Sequence, residues 1–144
     1  MSTAPTTKAT GDCLCGSVKY TVSGPLRPVT YCHCTQCRKT SGHYVAATAC
    51  RTEHLSISPD DHLRWYRSSP DADRGFCDLC GASLFWRPRH GRHICIMAGT
   101  LDNPTGLDAI QHVFVADAGD YYSIHDGLPQ HEDYGSADLA TPKK

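Results

Sequence analysis

The 144-residue chain has no apolar run approaching the roughly 18–20 residues that a membrane-crossing helix needs, so no membrane partner is expected. Its first ten residues, MSTAPTTKAT, carry no apolar stretch behind their single lysine and do not read as a secretory signal. A basic excess is also missing: fourteen Lys and Arg stand against fifteen Asp and Glu, for a net charge of −1. Binding driven by phosphate neutralisation needs a cationic surplus, so nucleic acid is not an expected partner. Glutamate, a good helix former, occurs only twice, while twelve glycines and nine prolines punctuate the chain. The longest segment free of both breakers runs from His43 to Ser58. Long helices are excluded on these grounds, and the fold expected is a single mostly-β domain with little helix.

What the chain has in quantity is cysteine. There are nine, an odd number with no export signal, which fits a reducing cytoplasm better than a disulfide framework. Seven fall into three tight groups: Cys13 and Cys15 as C-x-C, Cys32, Cys34 and Cys37 as C-x-C-x-x-C, and Cys77 and Cys80 as C-x-x-C. This spacing suits metal. Zinc takes sulfurs at about 2.3 Å in a tetrahedron, hence about 3.8 Å from one another. Residues i and i+2 of an extended segment point the same way, so a slight turn brings both thiolates of a C-x-C onto one ion. A redox dithiol is the competing reading for Cys77 and Cys80.

Glycine placement divides the seven ligands. Gly16 follows Cys15 and Gly81 follows Cys80, as a knuckle with positive φ after its second sulfur requires, whereas the triplet is followed by Arg38. Cys13, Cys15, Cys77 and Cys80 are therefore expected to form one closed structural zinc site. It would join the beginning of the chain to its middle. Cys32, Cys34 and Cys37 are left as three ligands of a second zinc with one open position, the arrangement of a zinc that does chemistry. His33 should point away from its neighbouring cysteines by strand alternation. A fourth ligand from His33, His43 or Cys50 remains the alternative. Three thiolates blunt Lewis acidity, so such an ion is better suited to holding an incoming thiol as thiolate than to activating water. Arg38 and Lys39 either offset the accumulated negative charge or are simply solvated.

Alternation and breakers predict strands over Ser17–Val22, Tyr44–Arg51, His62–Arg67, Ala82–Arg87, Arg92–Ala98 and Ile110–Ala116, with a helical turn over Thr35–Ser41 carrying Cys37. Cys50 and Cys95 are expected as small core residues, and the pairs Trp65-Tyr66 and Phe85-Trp86 as core aromatics. One or two arginines between Arg51 and Arg92 are candidates to clamp a substrate carboxylate. Residues 1–10 are expected as a disordered tail, 11–131 as the folded domain and 132–144 as a flexible tail.

The order GDCLCGSVKY, YCHCTQCRK, GFCDLCGASLFWR, AGTLDNP, HVFV and DGLP resembles the family of glutathione-dependent formaldehyde-activating enzymes and centromere protein V, over about Asp12 to His131. Asp120-Tyr121-Tyr122 stands where that pattern carries a tryptophan before DGLP. The resemblance implies a zinc-stapled domain of layered, tent-like short antiparallel sheets. It implies two zincs per chain: a structural one on Cys13, Cys15, Cys77 and Cys80, and an open one on Cys32, Cys34 and Cys37. It further implies a carbon–sulfur lyase, with S-hydroxymethylglutathione formed from glutathione and formaldehyde as the founding reaction. The expected partner is thus a small thiol or its adduct with a carbonyl compound. The competing reading is a non-catalytic zinc module that binds a protein or metabolite.

Overall fold

Short segments rich in β-branched and aromatic residues, each cut off by glycine, proline or a cysteine knuckle, have little choice but to pair with one another. A computed structural model describes residues 9–58 and 61–134, and within them ten strands and one α-helix are formed. The strands are β1 (Ala9–Asp12), β2 (Lys19–Val22), β3 (Val29–Cys32), β4 (Val45–Arg51), β5 (Leu55–Ile57), β6 (Leu63–Ser69), β7 (Ala72–Cys77), β8 (Ser83–Pro88), β9 (His93–Met97) and β10 (Ala109–Val113). The helix α1 spans Thr35–Ser41, the predicted span. Its Cys34 side chain caps the first turn by accepting from the Cys37 amide at 3.3 Å, and Gly42 ends it in a left-handed conformation.

Two sheets result. The smaller has the order β1-β2-β5, the larger β10-β3-β4-β9-β8-β7-β6. All pairs are antiparallel except β10 with β3, which run parallel. The layered, short antiparallel pairing expected thus holds for every strand pair but this one. Parallel neighbours need a long connection, and here almost the whole domain lies between the two strands.

The sheets pack face to face through Val18, Tyr20 and Val22 on one side and Cys50, Leu84, Phe85, Ile94 and Ile96 on the other. Trp65 stacks on Phe85 with centroids 6.1 Å apart, and the Arg87 guanidinium lies 3.7 Å over the Trp65 ring. Trp86 alternates onto the far face of the large sheet, away from this core. The same alternation separates the two isolated cysteines. Cys50 is fully buried opposite Ile94, whereas Cys95 pairs with Ala49 and is only partly buried, against the cluster of Cys37, Val45 and Ala47. Cys95 is therefore not the core residue expected.

The ends of the chain also differ from expectation. Ala9 and Thr10, assigned to a disordered tail, pair with Val22 and Thr21 in β1. The chain still touches the domain beyond His131, although exposed there: the Phe114 amide donates to the Asp133 carbonyl at 2.9 Å, and the Tyr134 ring lies edge-on to Phe114. The remaining tail residues, 1–8 and 135–144, lie outside the described residues. No helix is long and apolar enough to cross a membrane among those described.

Candidate metal centres

Two turns carry the first cysteine group. Between β1 and β2, the Gly16 amide donates to the Cys13 carbonyl at 3.2 Å; between β7 and β8, the Gly81 amide donates to the Cys77 carbonyl at 2.8 Å. Gly16 sits at φ +82° and Gly81 at φ +78°, the left-handed region where a side chain would be strained. The two turns bring Cys13, Cys15, Cys77 and Cys80 together, with all four sulfurs within 4.8 Å of one another. Cys13 Sγ lies 3.7 Å from Cys15 Sγ, and Cys15 Sγ 3.8 Å from Cys77 Sγ. That is the edge of a tetrahedron of sulfurs at the zinc distance, so the donor set fits a closed zinc site. Local donors pull two of the four toward thiolate: backbone amides of Ala82 and Cys15 hold Cys80 down to about 6, and the Ser17 hydroxyl and amide lower Cys15. Burial and the Cys80 and Cys13 side chains push Cys77 up to about 11.

The second group stands at the end of β3 and on α1. Cys32 ends the strand, Cys34 caps the helix, and Cys37 is buried in its first turn; their three sulfurs also lie within 4.8 Å of one another. Hydrogen bonds from the Cys32 and Cys37 thiols, helped by the Cys37 and Gln36 amides, hold Cys34 far below the ordinary thiol range. The bonds to Cys34 and Cys37, with burial, push Cys32 up. A negative charge at the start of α1 is where the helix dipole favours it. These sulfurs, three soft donors with one already poised as thiolate, fit a thiophilic ion such as zinc. No His, Cys, Asp or Glu among the described residues joins the three as a fourth donor.

His33 and Cys50 are accounted for elsewhere. Cys50 lies on the opposite face of the sheet, in the core. The ring of His33 is fully buried and points away from the sulfurs, as alternation requires. It belongs to a linear array that sequence reasoning did not find. His112 Nε2 is 2.7 Å from the Asp126 carboxylate, His112 Nδ1 is 2.8 Å from His33 Nε2, and His33 Nδ1 is hydrogen-bonded to the Tyr122 hydroxyl. For uncharged rings the carboxylate fixes every donor. His112 donates to Asp126, His33 to His112, and Tyr122 to His33. Burial, with His112 and His43 nearby, lowers His33 to about 4. Tyr44, Tyr121 and Tyr122 pack around His33 and His43, and His43 hydrogen-bonds the Tyr121 hydroxyl at 2.6 Å. Asp126 of the DGLP segment and Tyr122 of Asp120-Tyr121-Tyr122 were the available signals, but nothing in their spacing shows that they meet His33.

A further contact comes from a distant strand. Arg74 of β7 reaches over the sheet to place Nη2 3.6 Å from Cys37 Sγ. The cation hydrogen-bonded to a cluster sulfur is thus Arg74, from a distant strand, and not the Arg38 or Lys39 that follow the triplet in sequence.

A mostly-β domain of two packed sheets with two separate sulfur clusters of metal-ligand geometry is thus the class of protein defined by fold and site. Comparison with known proteins narrows it. The family model "glutathione-dependent formaldehyde-activating enzyme" matches residues 8–117, and the chain belongs to that family. An uncharacterised lyase of Schizosaccharomyces pombe is 30% identical over 83 residues, covering 58% of this chain; the chain spans 60% of the length of that relative. A crystal structure of a Rhodobacter sphaeroides protein superimposes with a TM-score of 0.56 at 24% identity, over 69% of this chain and 97% of the other, and shows the same fold.

Proposed function

We propose that the protein is a zinc-dependent carbon–sulfur lyase acting on the adduct of a low-molecular-weight, glutathione-like thiol with a small carbonyl compound such as formaldehyde. In this reading Cys13, Cys15, Cys77 and Cys80 hold a structural zinc, and Cys32, Cys34 and Cys37 hold a second zinc with one position for the substrate sulfur. The observation that carries it is the convergence of three sulfurs with no fourth protein donor beside them among the described residues. Membership of the family and the lyase name of the fission-yeast relative support the reaction class.

The chemistry balances simply. In the breakdown of an S-hydroxymethyl thiol, the hydroxyl loses its proton, an oxygen lone pair closes the C=O bond, and the C–S electron pair leaves on sulfur. The reverse addition makes the adduct. Zinc bound at the triplet supplies a position that stabilises sulfur as thiolate. The protein's own part is positional. The amides at the start of α1 and its Cys34 cap fix the donor set, the Val113 carbonyl accepts from the His33 amide at 3.0 Å, and the buried His33 ring anchors the Cys32–Cys34 segment from behind.

The test is Cys34→Ala in the full chain. One of two bound zincs and the lyase activity should be lost while the domain stays folded. Loss of both metals together with the fold would sink the division of roles. Cobalt-substituted protein gives a second readout, since added glutathione should shift the absorption of an open site and leave two saturated sites unchanged.

A further inference from the structure

The outer strands of the large sheet carry arginines on both faces, and on the face turned toward the small sheet Asp73 neutralises two of them. Its carboxylate takes Arg67 at 2.6 Å and Arg87 at 3.4 Å. Arg74, the next residue along β7, alternates to the other face. There it stands opposite Trp86, Trp86 opposite Cys95, and Cys95 opposite Ala49. Opposed residues of neighbouring strands share a face, so this row leads across the sheet to the β4 surface against which Cys37 packs.

Among the described residues no carboxylate lies within 4 Å of the Arg74 guanidinium. Its partners are Cys37 Sγ at 3.6 Å and, weakly, Thr40 Oγ1 at 3.5 Å, and its Nε is buried without a partner. A guanidinium does not shed its charge on burial. A half-buried, permanently charged arginine whose partners are a cysteine sulfur and a threonine hydroxyl, with no carboxylate beside it, is an arrangement that the core packing does not explain.

We propose that Arg74 is a positioning residue of the three-cysteine centre: its guanidinium is the standing counter-charge of the Cys32, Cys34 and Cys37 sulfurs, and so sets how tightly that centre holds its metal and how readily it accepts an anionic thiolate. The charges make the point. Three thiolates on a divalent ion sum to −1, and Arg74 brings the centre to zero. A fourth, incoming thiolate then finds a neutral centre instead of an anionic one. The donor to Cys37 also fixes the direction in which that sulfur presents its remaining lone pairs, as partners of metal ligands generally do. The part concerning the incoming thiol rests on the function proposed above; the part concerning metal affinity does not.

The experiment uses the full chain loaded with zinc. Chelator competition is followed for the wild type, Arg74→Gln and Arg74→Met, the last keeping the apolar bulk of the stem. Both variants should bind one zinc as the wild type does and the other about 10- to 100-fold more weakly, the usual consequence of removing a partner of a metal ligand. Arg74→Lys, which keeps the charge without the planar fork, should fall between. In cobalt-substituted protein, the glutathione titration midpoint should rise for Arg74→Gln in the same order. Wild-type affinity at the weaker zinc in either uncharged variant overturns the proposal. Loss of both zincs together also overturns it, since Arg74 would then serve the fold. A wild-type protein that holds a single zinc would instead remove the proposed function, and this inference with it.

Discussion

Replacing Cys80 by serine should destabilise the protein far more than replacing Cys34 by alanine. Cys80 belongs to the cluster that ties the β1–β2 turn to the β7–β8 turn, with Cys15 and Cys77 separated by 62 positions in sequence. Two members, Cys13 and Cys77, are 3% and 0% exposed and are part of the main core, so the cluster holds the small sheet against the large one. The small sheet has strands of only four, four and three residues, held otherwise by core packing and by contacts with the 100–102 segment. A structural zinc contributes about 10–16 kcal/mol of apparent binding free energy, against a total of about 5–15 kcal/mol for most domains. Even a third of that figure, about 4 kcal/mol, corresponds to roughly 12–20 °C in melting temperature for a chain of this size. Cys34→Ala instead opens a site whose three ligands lie within six residues, and removes a helix cap worth about 1 kcal/mol. Its melting temperature should drop by only a few degrees. Thermal unfolding followed by circular dichroism, with zinc content measured on the same samples, decides the matter. Equal melting temperatures, or a larger drop for Cys34→Ala, would refute the division into a clamp and an open centre.

Two further outcomes follow from the buried array. Because His33 is lowered to about 4 from a free value of 6.5, the unfolded chain binds a proton there that the native chain refuses. The associated stability is complete above pH 6.5 and is lost as pH falls toward 4; in His33→Gln the acid limb measured by urea unfolding should be shallower than in the wild type. Tyr122→Phe leaves the buried His33 Nδ1 without its donor. Equilibrium unfolding should show a loss of about 1–3 kcal/mol, and a neutral result would mean that the hydroxyl is dispensable to the array.

Much of this was legible because a cysteine or a glycine carries its constraint locally. The glycines after Cys15 and Cys80, together with the family resemblance, pointed to a grouping of four sulfurs apart from three; both glycines adopt positive φ, and the sulfurs lie in those two groups. Thr35–Ser41 was found to the residue, since Cys34 and Gly42 mark its ends. Strands β1, β3, β5 and β7 were not predicted. β7 reads ADRGFC, with a charged pair and Gly75 where alternation was sought, and it is a strand because β6 and β8 clamp it on both sides. β3 is four residues directly behind Pro28. The contacts around the three-cysteine cluster were illegible for a related reason. Arg74 meets Cys37 across 37 positions, and His33 meets Tyr122 across 89, distances that no local pattern encodes.

The parallel pairing of β3 with β10 has a consequence for how the chain matures. As the polypeptide emerges from the ribosome, Cys32, Cys34 and Cys37 arrive almost together and close a very short loop, whereas Cys13 and Cys15 must wait for Cys77 and Cys80. The strand that flanks Cys32 is later still, since Ala109–Val113 completes that edge of the sheet and lines Val113 up with Cys32. The local triplet is therefore complete before the four-sulfur cluster can assemble, and the β10 side of Cys32 is covered last of all.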